Sequence, residues 1–170
     1  MIGHRKELIA RGATLVIAVT LALATACSNS VVPLEPAKLR DFASAYALAW
    51  GTQDPAKVAA CFAPTGSLKI NDAEPAVGRE AIAAKVKQYM TDFPDLAMEM
   101  EELSLFEGHI VLYWTLTGRN SAPGGTGKEI SISGSEEWTI GPDGLIAASK
   151  GTYDEAEYQR QLKVGVARAK

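Results

Sequence analysis

At Pro94 the hydrophobic pattern of this 170-residue chain changes period, and that switch decides which folds are open to it. Before it, Leu39, Phe42, Tyr46, Ala49 and Trp50 recur at helical spacing, and Ile82, Val86, Tyr89 and Phe93 do the same. After it, apolar and polar residues alternate, as in strands with one buried face. Leu96, Met98 and Met100 hold one phase, and Leu103 and Leu105 hold the opposite one. A slip of phase inside a strand predicts a β-bulge at Glu101-Glu102, the kind that bends a sheet.

The punctuation between these runs predicts the remaining elements. Gly51 ends the first helix, and Asp54-Pro55 starts a second, with Asp54 as N-cap and Pro55 in the first turn. That helix is expected to run through Val58, Cys61 and Phe62 until Pro64-Thr65-Gly66 stops it, with a brief strand over Ser67–Ile70. A third helix follows Gly78 and closes at Pro94. The strand from Leu96 turns at Glu107-Gly108 into Ile110–Arg119. A Gly/Pro-rich loop, Ser121–Lys128, precedes a strand over Ile130–Ile140, and Gly141-Pro142-Asp143-Gly144 makes a hairpin into Leu145–Tyr153. The tail from Asp154 reads as helix. Helices and strands are thus segregated, which is the α+β class. Long bent strands beside N-terminal helices predict a cone-shaped half-barrel: a curved mixed or antiparallel sheet, open to a ligand at one end.

The N-terminus carries a different message. Arg5, Lys6 and Arg11 precede fifteen uncharged residues, 12–26, that include Leu15, Val16, Ile17, Val19, Leu21 and Leu23. A basic start, a short apolar run and then small residues read as a secretory signal peptide, and the run is short of the roughly 20 residues that span a membrane. Ala24-Thr25-Ala26-Cys27 resembles a bacterial lipobox, in which Cys27 is acylated, and Ala24-Thr25-Ala26 also fits ordinary signal peptidase. The expected organisation is a signal peptide over 1–26, a tether over 27–37, one domain over 38–164 and a tail over 165–170. Acylated Cys27 leaves Cys61 without a partner, as a small buried hydrophobe. Removing residues 1–26 (Arg5, Lys6 and Arg11 against Glu7, or +2) takes the net charge from −3 to about −5. With no basic cluster to neutralise phosphates, nucleic-acid binding is disfavoured.

The runs Ala49-Trp50 … Asp54-Pro55, Val77-Gly78-Arg79-Glu80-Ala81-Ile82 and Phe93-Pro94-Asp95-Leu96 resemble the SnoaL-like family of the nuclear-transport-factor-like superfamily. Trp114 … Thr117-Gly118, Gly127-Lys128, Asp143-Gly144-Leu145-Ile146 and Tyr153-Asp154 continue the likeness, which spans about residues 38–162. The resemblance implies a cystatin-like curved sheet wrapped around a helix, an apolar pocket and often a homodimer, here through the sheet. The superfamily includes polyketide cyclases, ketosteroid isomerases and dehydratases. In the cyclases an aspartate on a late strand is the general base, and by order along the chain Asp154 matches it.

The residues themselves single out Glu136. Strand alternation puts Gly134 and Glu136 on the same face as Ile130, Ile132, Trp138 and Ile140. A carboxylate in an apolar cavity has a raised pKa and suits proton transfer near neutral pH. The competing readings are a structural pair with Arg119, Lys150 or a buried hydroxyl, or a place at the open rim. Asp154 has its own competitor as the cap of the last helix. Tyr46, Trp50, Trp114, Trp138 and Tyr153 are pocket-or-core aromatics, and Arg119 is a rim anion contact or a solvated strand end. Gly124-Gly125-Thr126-Gly127-Lys128-Glu129 lacks the spacing and the Ser/Thr of a phosphate loop. His4 and His109 cannot build a metal site or a triad, and no cofactor is implied. Two functions remain: a lipid-anchored module that binds a small apolar molecule or offers its sheet to a partner protein, and an enzyme of isomerase, cyclase or dehydratase type using Glu136 or Asp154.

Overall fold

The computed structural model describes residues 35–106 and 109–167. The expected signal peptide, Cys27, most of the tether and the Glu107-Gly108 turn lie outside them. Helix α1 (Pro36–Trp50) has Pro36 in its first turn and buries Leu39, Ala43, Tyr46, Ala47, Ala49 and Trp50 along one face. It therefore begins inside the segment expected as tether. Helix α2 (Pro55–Ala60) is capped by Asp54, whose side chain accepts the Ala56 N–H at 3.0 Å.

The next stretch corrects the sequence reading. Helix α2 ends at Ala60, and Phe62 already belongs to strand β1 (Phe62–Ile70). Pro64-Thr65-Gly66 does not stop a helix there; it forms an irregularity inside the strand. Six residues of β1, from Phe62 to Ser67, are set against three of the neighbouring strand, from Ile146 to Ala148. Phe62 is fully buried, and that anchors the strand ahead of the bulge. At Gly66 a Cβ would lie 2.6 Å from the Ile146 carbonyl oxygen, so only glycine lets the two backbones approach. The two-residue strand β2 (Ala76–Val77), which the sequence did not signal, pairs antiparallel with β1.

Helix α3 (Arg79–Asp92) buries Ile82, Val86 and Met90, and Phe93 just beyond its end is buried too. Strands β3 (Ala97–Phe106), β4 (His109–Arg119), β5 (Glu129–Ile140) and β6 (Ile146–Tyr153) then form a meander, and α4 (Glu155–Val164) follows. The β3–β4 register shifts between Met100 and Glu102, where the phase slip placed the bulge. The hairpin before β6 is the expected tight turn, with Gly144 at φ 76° and the Leu145 N–H bonded to the Asp143 side chain at 3.1 Å.

The sheet has six strands in the order β2-β1-β6-β5-β4-β3. Only the β1–β6 pair is parallel, so the sheet is mixed; it is curved and unclosed. Helix α1 lies against its concave side: Tyr46 meets Trp138 of β5 edge-to-face at 5.1 Å, and Phe42 meets the same ring at 5.8 Å. The α+β cone read from the sequence is the fold of the domain.

Candidate active site

Strand β5 builds the centre of the site through its alternation. Ile130, Ile132, Glu136 and Trp138 are buried, whereas Ser131, Ser133, Glu137 and Thr139 are exposed. Glu136 is 3% exposed and is the only buried carboxylate among the described residues. Its partners come from three elements. The Tyr46 hydroxyl of α1 donates to Oε1 and Oε2, at 3.1 and 3.0 Å. The Trp138 indole N–H donates to Oε2 at 2.9 Å, and the Ser149 hydroxyl of β6 donates to Oε2 at 2.8 Å.

Of the structural readings weighed for Glu136, the buried hydroxyl is the one the fold supplies. Lys150 points outward beside Glu137, and Arg119 is far along the sheet, so no cation pairs with Glu136 among the described residues. Burial pushes the Glu136 carboxyl up, while the bonds from Trp138, Ser149 and Tyr46 hold it down in part. Burial, together with the adjacent Glu136 charge, raises the Tyr46 phenol well above its ordinary range. Tyr46 therefore stays a neutral donor, suited to holding a carboxylate.

Glu136 also forms part of the wall of a small cavity bounded by Trp50, Met98, Trp114, Leu116, Ile132, Gly151, Tyr153 and others. Two glycines make the room. A Cβ at Gly134 would sit 2.5 Å from the Trp114 ring, so the indole lies flush over β5 only because that position is bare. A Cβ at Gly151 would touch the Glu136 Cγ at 3.4 Å. The indole N–H groups of Trp50 and Trp114 are buried without a hydrogen-bond partner. The Trp50 N–H lies near enough to the Tyr46 oxygen to ease its ionisation slightly, yet no hydrogen bond closes.

Tyr89, Tyr153 and Tyr158 stand between this cavity and the outer clefts. Tyr153 packs edge-to-face on Trp114 and Tyr158, at 6.4 and 5.6 Å. Burial raises all three phenols, with the Tyr89 phenol adding to the rise at Tyr153 and Tyr158 pushed up to about 12.

The remaining candidates fall elsewhere. Tyr46 and Trp138 support Glu136 from behind. Asp154 caps α4, accepting the Glu157 N–H at 3.0 Å from an exposed position, and does not border the cavity. Arg119 is an exposed strand end paired with Glu129. Cys61 is half-buried at the end of α2, and burial raises its thiol pKa, so it carries little thiolate. Sequence reasoning missed Gly151, Met98 and Tyr158 as wall residues and took Tyr89 for plain core; the β5 alternation did place Gly134 inward. Among the described residues no group of three metal-ligating side chains is gathered.

A curved, unclosed α+β cone with helices against its concave face is the architecture of the nuclear-transport-factor-like superfamily. The chain belongs to the SnoaL-like domain family, whose sequence model matches residues 43–149. No curated protein sequence matches it. A protein of ketosteroid-isomerase-like fold from Catenulispora acidiphila, in complex with trimethylamine, aligns at TM-score 0.64 and 15% identity over 71% of this chain and 91% of that one. TsrD from Streptomyces laurentii aligns at TM-score 0.64 and 22% identity, over 76% and 97% of the two chains. A phenazine biosynthesis-related protein from Pseudomonas aeruginosa aligns at 0.63 and 17%, over 79% and 90%. Identities this low establish the shared fold and leave the chemistry to the residues.

Proposed function

We propose that this chain is an exported binding protein, anchored to a membrane through Cys27, that holds a small, mainly apolar molecule in the cavity beside Glu136. The observation that carries the reading is the combination of an apolar, aromatic-walled cavity with candidate acids already engaged in the fold. Asp154 is taken up by its helix, and Glu136 by three donors of its own. That the Catenulispora protein of this fold holds trimethylamine supports a small ligand. The basic start, the uncharged residues 12–26 and the lipobox-like end at Cys27 support export and anchoring. Among the described residues no helix is long and apolar enough to cross a membrane.

One observation favours a second reading. Glu136 borders the cavity with a carboxyl raised by burial, which fits a general acid or base in isomerase-, cyclase- or dehydratase-type chemistry. Glu136→Gln separates the two. A binding protein retains a ligand with altered affinity, whereas an enzyme retains its substrate and loses turnover. The direct test of the first reading is mass spectrometry of small molecules extracted from protein purified from its own host. A stoichiometric ligand supports it, and an empty protein opposes it.

A further inference from the structure

We propose that the cavity recognises an alkylammonium cation, with its charged head between Glu136 and the rings of Trp50, Trp114, Tyr89, Tyr153 and Tyr158. The inference rests on the binding reading above and names the chemical class of the ligand. Glu136 brings a carboxylate to the cavity wall, 3% exposed, and no Lys, Arg or His borders that cavity. Its Oε2 accepts three hydrogen bonds, but its Oε1 accepts only the bond shared from Tyr46. That oxygen keeps acceptor capacity, and the buried group lacks an opposite charge.

The rest of the wall supplies what such a cation needs. Trp50 and Tyr89 meet edge-to-face at 6.2 Å, and Trp114, Tyr153 and Tyr158 form a second edge-to-face chain. Aromatic faces attract a cation through their quadrupole, most strongly where water is excluded, and several rings around one void make a cage for alkylated ammonium groups. A neutral apolar guest would gain from the rings and leave the carboxylate uncompensated. An anion would meet Glu136 directly. The approach carries the same sign: the outer clefts that share Tyr89 and Tyr153 are bordered by Asp72, Asp92 and Glu155 against Lys85 alone. A net acidic approach concentrates cations at the mouth.

The test is calorimetric titration of the purified protein with choline and with 3,3-dimethylbutan-1-ol, its uncharged carbon isostere. Choline is expected to bind at least tenfold more tightly, about 1.4 kcal/mol. Glu136→Gln is expected to erase that preference by weakening choline and not the alcohol. Trp114→Phe keeps a ring of weaker cation affinity, so it should weaken choline more than the alcohol. If Glu136→Gln does not fold, the wild-type comparison and Trp114→Phe still decide. Equal or tighter binding of the alcohol overturns the ammonium assignment and leaves the apolar-ligand reading standing. Choline binding that Glu136→Gln does not change overturns it as well. Binding of neither compound overturns the assignment and counts against the cavity as a small-molecule site.

Discussion

Glu136 holds Tyr46, Trp138 and Ser149 together, so removing its carboxylate and removing its charge should have opposite results. Glu136→Leu strands three buried donors, each costing about 1–3 kcal/mol, and should destabilise the fold by on the order of 3 kcal/mol. In Glu136→Gln the amide oxygen still accepts from Trp138 and Ser149 and the amide nitrogen faces the Tyr46 oxygen, so stability at pH 7 should hold or rise. The pH dependence has a definite sign. The folded carboxyl titrates above the roughly 4.3 of a free glutamate, so the folded state binds more protons than the unfolded state between those two values. The share of stability that Glu136 contributes is therefore largest at low pH and falls as pH rises through its folded pKa. Tyr46, the one titratable group bonded to it, stays protonated throughout this range. Denaturant melts of wild type and Glu136→Gln across pH 4 to 8 should diverge in favour of glutamine as pH rises; a constant difference would mean that Glu136 has no raised pKa. Gly134→Ala tests a different contact. Its Cβ would lie 2.5 Å from Trp114 and 2.6 Å from the Thr152 carbonyl oxygen, so a loss of about 1–3 kcal/mol is expected. An unchanged melting temperature would show that the Trp114 ring is free to move.

Helix α4 and strand β1 show where local sequence speaks and where it does not. Asp154 reads as a cap because acidic and helix-forming residues follow it, and the fold uses it that way. Asp154→Ala should cost about 1 kcal/mol and leave ligand affinity untouched. A loss of binding with normal stability would return Asp154 to the site. The bulge of β3 was legible because an apolar phase slip has few other causes. The start of β1 was not, because Pro-Thr-Gly signals a chain break locally and only the burial of Phe62 and the close approach of Gly66 to Ile146 turn it into a strand irregularity. Glu136 could be found from alternation along one strand. Two of its partners could not, since Tyr46 lies 90 residues away and Ser149 sits on a neighbouring strand. Arg119, read as a rim anion contact or a solvated strand end, lies exposed opposite Glu129 at the end of its strand, a fact of pairing that the residue's own neighbours do not encode.

At the scale of the whole molecule, a sheet open at one end and helices on its concave side leave one aromatic-walled cavity beside a buried carboxylate. The proposed anchor at Cys27 would place that cavity at a membrane surface outside the cytoplasm. Cys27→Ala should abolish palmitate labelling and release the protein from the membrane fraction; a variant that stays membrane-bound would exclude the lipid anchor. The cavity itself is tested most directly by filling it. A side chain at Gly151 starts at ordinary contact distance, 3.4 Å from Glu136, so Gly151→Val should occupy the space without breaking the strand. Native mass spectrometry of wild type and Gly151→Val, each purified from the protein's own host, is the decisive measurement. We expect one small molecule per wild-type chain and none on folded Gly151→Val. An empty wild type, or equal occupancy of the two proteins, would contradict a ligand site beside Glu136.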